Sequence, residues 1–270
     1  MSSVIIAAQS QEHLKELFPR VRDFVQRFRS DVKVLVVGSV DEGQEISLAQ
    51  SLPGAQSISI QEVEDLAQSL SEFTENVQVD LICLPNNKEA TGSRGFLKSS
   101  IAESLLRKGS SLLFACCEYK GEYENLLAPV DMGITSRNAV DTASRYFPLS
   151  KIDLLYVFKR HSDGMITNPT SRGDTIPEVR NSSVSDLKGQ LSLFAQSMHM
   201  PDVVERRVVV EGDPLTMTLE ETEKGNHQLI ILGYKKRNVV AKLFSDSLVS
   251  QLVKGSPSDI FLCAIPDSSD

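Results

Sequence analysis

The residues best suited to chemistry in this chain are a short cationic run and a serine beyond it. Lys235, Lys236 and Arg237 follow the apolar stretch "LIILGY" (229–234), which contains Gly233. Ser247 leads the next helical segment. A cationic loop of this kind can hold an anion even without further glycines, and a helix start adds positive potential. A second candidate, "GSRG" (92–95), looks like a phosphate loop. It lies too far past the preceding strand and too near the next helix, so an ordinary loop is the expectation. Catalytic groupings are not visible: there is no Ser-His-Asp arrangement, no carboxylate pair at a useful spacing and no metal-ligand cluster. A non-enzymatic chain is therefore expected. His13, His161, His199 and His227 are scattered and read as structural or surface residues. Cys83, Cys116, Cys117 and Cys263 sit in or beside apolar strand-like runs. Adjacent Cys116 and Cys117 would point to opposite faces of a strand, which suits neither a metal nor a disulfide. Buried, reduced cysteines of a cytosolic protein are expected.

Composition sets the frame for these residues. Of 270 residues, 41% are hydrophobic and 24% charged, as in a soluble globular protein. The net charge of −8 is spread evenly, with −4 on residues 1–120. No basic face appears, which argues against nucleic acid as a partner. No apolar run approaches the roughly 20 residues of a membrane helix. No signal peptide is visible, and the expected location is cytoplasmic.

The elements that must position the candidates alternate between strand and helix. Strands are predicted at Val4–Ala8, Val32–Val37, Ser57–Ile60, Leu81–Leu84 and Leu112–Cys116. Helices are predicted over 11–29, 61–75 and 99–108. In the first of these, Leu14, Leu17, Val21, Phe24, Val25 and Phe28 form one stripe. A second pass then begins. Strands are predicted at Leu126–Val130, Ile152–Phe158, Arg207–Val210, Leu229–Leu232 and Ile260–Ile265. Helices are predicted from Thr135 or Ser136 to Phe147, from Val184 to Met198, over 214–224 and over 239–253. Near-continuous apolar strands separated by helices imply parallel βαβ units and an open, doubly wound sheet. The stretch 159–183, with breakers Gly164, Pro169, Gly173 and Pro177, reads as a long crossover loop or a lid over the region of Gly233.

The two passes look like a repeat. "DLICLP" (80–85) aligns with "QLIILG" (228–233) at an offset of 148. "SSIAESLLRKGSSLLFAC" (99–116) aligns with "DSLVSQLVKGSPSDIFLC" (246–263) at an offset of 147. Two domains are expected, 1–118 and 124–268, joined by the polar "EYKGEYE" (118–124).

The second half resembles the universal stress protein family. The resemblance rests on "NLLAPVDMGITSRNAVDTASRYF" (125–147), "VVVEGDP" (208–214), "LIILGYKKRNVVAKLFSDSLVSQLV" (229–253) and "SDIFLCAIP" (258–266). It implies tandem Rossmann-like domains of the adenine nucleotide alpha-hydrolase-like type, each a five-stranded parallel sheet with helices on both faces. It also implies a ligand-binding set. Asp131 matches the family's adenine-side Asp, Gly212 its turn glycine, Gly233 its first phosphate-loop glycine and Ser247 its hydroxyl. Lys235, Lys236 and Arg237 lie within that loop, and Lys236 stands where the second glycine belongs.

Asp246 stands where the third glycine belongs. Unit charges about 4 Å apart near a surface repel by roughly 4 kcal/mol, about three decades of affinity. Weak or lost binding of ATP, or of another adenine nucleotide, is expected. In the first half, Gln9 or Ser10 takes the Asp position and Pro85 that of Gly233.

The resemblance further implies pairing through the last strands. Here the two halves would form an internal pseudo-dimer, with a homodimer as a further option. Tandem domains of this kind also occur as cytosolic tails of membrane transporters of the cation/proton antiporter type. A regulatory stress-response protein and such a scaffolding tail are the two functional expectations.

Overall fold

A computed structural model of the chain describes residues 2–40, 50–85, 99–160, 165–167, 179–180, 183–235 and 248–265. The first half runs β1 (Ser3–Ala8), α1 (Gln11–Phe28), β2 (Asp31–Val37), β3 (Ser57–Val63), α2 (Leu66–Asn76), β4 (Leu81–Pro85), α3 (Ser99–Arg107) and β5 (Ser111–Ala115). The second runs β6 (Asn125–Pro129), α4 (Ile134–Tyr146), β7 (Lys151–Arg160), β8 (Met165–Thr167), β9 (Val179–Arg180), α5 (Val184–Gln196), β10 (Val204–Glu211), α6 (Pro214–Lys224), β11 (Leu229–Lys235), α7 (Leu248–Gly255) and β12 (Asp259–Ile265).

Both halves wind the same way. Strands β3-β2-β1-β4-β5 are parallel neighbours in that order. Strands β10-β7-β6-β11-β12 repeat it. The order places first, second and third strands on one side of each half and fourth and fifth on the other, as in a doubly wound fold. Strands β5 and β12 then pair antiparallel, with Leu112, Leu113 and Phe114 opposite Leu262, Phe261 and Ile260. The expected pairing through last strands is thus present within the chain. It makes one continuous sheet rather than two separate ones. Pairing also covers two edges that would otherwise expose a row of backbone groups.

The ladders correct the repeat by one residue. Leu81 lies beside Ser111, and Leu229 beside Asp259. The offset in the last strand is therefore 148, not 147, and Ser111 matches Asp259. A shift of one residue exchanges the faces on which side chains sit, so the correction decides which residues correspond across the seam. The preceding helix ends, Arg107 and Gly255, keep the same offset of 148.

Local chemistry accounts for the element boundaries. Ser10 caps α1, accepting from the His13 N–H, and Leu14, Leu17, Val21, Phe24 and Val25 are buried beneath it. Phe28, placed on the same stripe by periodicity, is 37% exposed. The helix predicted over 61–75 begins only at Leu66, capped by Asp65, because β3 continues to Val63. Helix α4 starts at Ile134, with Gly133 at the N-cap position, so neither Thr135 nor Ser136 is the cap. Asp213 caps α6 and Pro214 fills its first position, a helix-start signature. The helix predicted over 239–253 is seen from Leu248, its earlier part lying outside the described residues. Strand β5 ends at Ala115, so Cys116 and Cys117 lie beyond it rather than on opposite faces of it. The stretch 159–183 contains more than a loop: β8 and β9 extend the end of β7 as an antiparallel ribbon. Of its remainder, 161–164, 168–178 and 181–182 lie outside the described residues, as does "GSRG".

No helix among the described residues is long and apolar enough to cross a membrane.

Candidate functional site

The strand ends create the candidate crevice of the second half. Open α/β sheets bind ligands outside the carboxyl ends of their strands, where the winding direction reverses. That reversal lies between β6 and β11. Asp131 follows the end of β6, Gly233 lies near the end of β11, and Gly212 directly follows β10. The three sequence-predicted residues are therefore on one rim, with Asp131 and Gly233 on neighbouring strands. Lys235 ends β11. Lys236, Arg237, Asp246 and Ser247 lie outside the described residues.

Each of the three is already engaged within the fold. The Asp131 carboxylate accepts from Gly133 N–H at 2.9 Å and from the Ser136 hydroxyl at 2.6 Å. The Ser136 oxygen in turn accepts from the Asp131 N–H at 3.1 Å. This closed turn holds Met132 at φ 60° and starts α4. Gly233 is required by close packing. A Cβ there would lie 2.9 Å from the Thr135 carbonyl oxygen and 3.2 Å from the Ala139 Cβ. Helix α4 thus sits directly on β11. At Gly212, the Met217 side chain fills the space a Cβ would take. The acid of the Gly-acid-Pro turn, Asp213, is held below the usual carboxylate range by hydrogen bonding to the Thr216 N–H.

Sequence reasoning missed two buried polar clusters. The first lies on the seam. Arg20, on the buried face of α1, bonds Asp259 at the start of β12 through Nε at 2.7 Å, and both side chains are essentially inaccessible. The Tyr123 hydroxyl donates to the same carboxylate at 2.6 Å. The Cys116 and Cys117 N–H groups donate to its other oxygen at 2.8 and 3.3 Å. Arg20 also donates to the Cys117 carbonyl and stacks on Tyr119. Burial pushes the Cys117 thiol up to about 11, and the nearby Asp259 charge adds to this. Burial likewise lifts Cys83, to about 12. Neither thiol is therefore activated as a thiolate. None of the four cysteines is in a disulfide. The available signal was a charged residue within the apolar stripe of α1, between Leu17 and Val21.

The second cluster is within the second half. Asp153 on β7 accepts from Arg206 of β10 at 2.7 Å and lies 2.8 Å from Nε2 of buried His227. The other ring nitrogen of His227 faces the Glu221 carbonyl at 3.0 Å. Burial pushes the Asp153 carboxyl up, but hydrogen bonds from His227 and Arg206 outweigh it and hold it below its ordinary value. The ladder partner of Leu127 is Asp153, and that of Ile5 is Lys33, so Lys33 is the first-half counterpart. Lys33 instead lies over the Phe73 ring at 4.7 Å. Between the two clusters, the linker and the turns before β11 and β12 enclose a cleft of about 440 Å³, lined in part by Tyr119, Lys120, Tyr123, Asn226, His227 and Asp259.

Comparison with known proteins bears on this arrangement. No curated protein matches the sequence. By structure, the chain is similar to a universal stress protein from Archaeoglobus fulgidus DSM 4304, at 14% identity and a TM-score of 0.59, over 96% of this chain and 97% of that one. It is also similar to the cytoplasmic domain of a prokaryotic cation chloride cotransporter, at 12% identity and a TM-score of 0.50, over 97% and 95% of the two chains. The sequence model of the universal stress protein family matches residues 122–263, more than half of the chain. The winding order, the strand-end crevice and that match agree, and the chain belongs to the universal stress protein family.

Proposed function

We propose that the chain is a non-catalytic regulatory module in which the crevice of the second half binds ATP weakly or not at all. The observation that carries this reading is the engagement of the matched residues: one Asp131 oxygen is committed to Gly133 and Ser136, and Gly233 lies under Thr135. Glycines favour phosphate when they leave backbone N–H groups open to close approach. Here the absent side chain at Gly233 makes room for α4 instead. By sequence, Asp246 stands where the family's pattern has a glycine, and a carboxylate beside a phosphate is repulsive.

Calorimetric titration with ATP, ADP, AMP and cyclic dinucleotides tests the proposal. The expected result is no saturable heat with ATP at micromolar concentrations. A tight ATP isotherm, or turnover of labelled nucleotide, would overturn it.

A second reading is favoured by one observation, the match over almost the full length of a cotransporter's cytoplasmic domain. On that reading the two-half plate is a scaffold for a membrane transporter. The test is retention of a cation transporter from solubilised membranes of the source cell on immobilised protein. Loss of retention on substituting exposed residues would support it, and no retention would remove it.

A further inference from the structure

We infer that the seam is coded by charge and size for unlike halves and rejects pairing between like halves. The code holds whether or not the second half binds a nucleotide.

The argument begins with the pseudo-two-fold axis. Leu113 and Phe261 are ladder partners across the seam. They are also counterparts in the repeat, because Cys83 lies beside Leu113 and Ile231 beside Phe261. The axis therefore passes between them. In a pairing of two second halves, Phe261 would face a second Phe261. In a pairing of two first halves, Leu113 would face a second Leu113. The observed seam sets a large side chain against a smaller one, both fully buried. Close-packed interiors tolerate neither the excess nor the deficit well.

Charge repeats the pattern. Each half sends its first helix across the seam. From the first half, α1 brings Arg20 to Asp259. From the second, α4 brings the Tyr146 phenol close to Ser111, the counterpart of Asp259. One side of the axis thus holds a buried ion pair and the other a neutral pair. Arg145, the cation in the last turn of α4, is exposed and bonded to its own helix, so it offers no substitute for Arg20.

Two second halves would bury two Asp259 carboxylates, each meeting a Tyr146 and no cation. Two first halves would bury two Arg20 guanidiniums, each meeting a neutral Ser111 hydroxyl in place of the Asp259 carboxylate, with Asp80 of the same half as the charge nearby. Unlike halves alone bring Arg20 into direct contact with Asp259. A buried ion pair adds little stability over an apolar substitute, yet leaving one member unpaired is strongly unfavourable. That asymmetry suits selection between partners better than strength of pairing.

The test uses the full chain with a protease site placed between Lys120 and Gly121, cut after folding. The wild-type halves are then allowed to exchange and weighed by native mass spectrometry. Unlike pairs are expected to exceed like pairs by at least about a hundredfold. The neutral variant Arg20→Met/Asp259→Ser should bring like and unlike pairs towards statistical proportions. If its halves instead separate, the exchanged variant Arg20→Glu/Asp259→Arg must recover selective pairing. Like pairs at statistical levels in the wild type would overturn the inference. So would a neutral variant as selective as the wild type, or an exchanged variant that fails to recover selectivity.

Discussion

The two halves share one winding order but use their strand ends differently. In the first half, Ser10 after β1 caps α1, and Pro85 ends β4. Proline has no N–H to offer an anion. In the second half, Gly233 takes the position of Pro85 and Asp131 that of Gln9, and the glycine brings α4 against β11. The same topology therefore carries a rim without the family's pattern in one half and a partly retained one in the other. The comparison shows that the winding order is maintained by apolar strands and helix packing, independently of the residues at the strand ends.

The comparison is sharpest at the seam, where the largest effect is expected. Arg20→Met leaves Asp259 buried without its cation and should lower stability by about 3–5 kcal/mol. Tyr146→Phe, on the neutral side of the axis, should cost about 1 kcal/mol. Urea unfolding of both variants measures the difference, and equal losses would remove the asymmetry.

A smaller contrast is expected at the strand ends. Gly233→Ala places a Cβ against the Thr135 carbonyl oxygen and should destabilise by about 1–3 kcal/mol. Pro85→Ala, its first-half counterpart, should cost about 0.4–1 kcal/mol through the freer unfolded chain. Thermal melts distinguish the two, and a neutral Gly233→Ala would show that α4 does not rest on β11.

Acid should separate the halves next. Asp153 has a depressed pKa in the folded chain, so its stabilising contribution is full above the ordinary aspartate pKa. The contribution fades below about pH 4, as pH falls towards the folded value. Lys33 stands at the first-half position, where no carboxylate contributes. Asp153→Asn should flatten the acid limb of the stability curve, most clearly in hydrogen exchange of β7 and β10. An unchanged limb would show that the cluster is not coupled to folding. The smallest effect is expected at Ser136→Ala, which removes one bond to Asp131 and should cost about 1 kcal/mol. A matching loss for Ser10→Ala would show that the two helix starts are equivalent in strength.

Much of the fold was legible because apolar runs and helical stripes are local signals. The strands from Val4 to Ala8 and from Leu81 to Leu84 were readable from β-branched and apolar runs alone, and so were the positions of Asp131 and Gly233 at strand ends. The register of the last strand was not. Similar letters align at an offset of 147, and only the ladders show that the strands correspond at 148. The Arg20–Asp259 pair was also hidden. Its members are 239 residues apart, and charged residues of either kind are ordinarily placed at the surface. The roles of Gly212 and Gly233 depended on which atoms approach them, which a sequence does not record.

Antiparallel pairing at β5 and β12 has a geometric consequence for anything that docks here. The halves are turned head to tail across the sheet, so their strand-end crevices open on opposite rims. The linker cleft, at the beginnings of β11 and β12, shares a rim with the first half's crevice and lies opposite the second half's. A compact visitor can contact one rim at a time, and only a partner that wraps around the plate can read both.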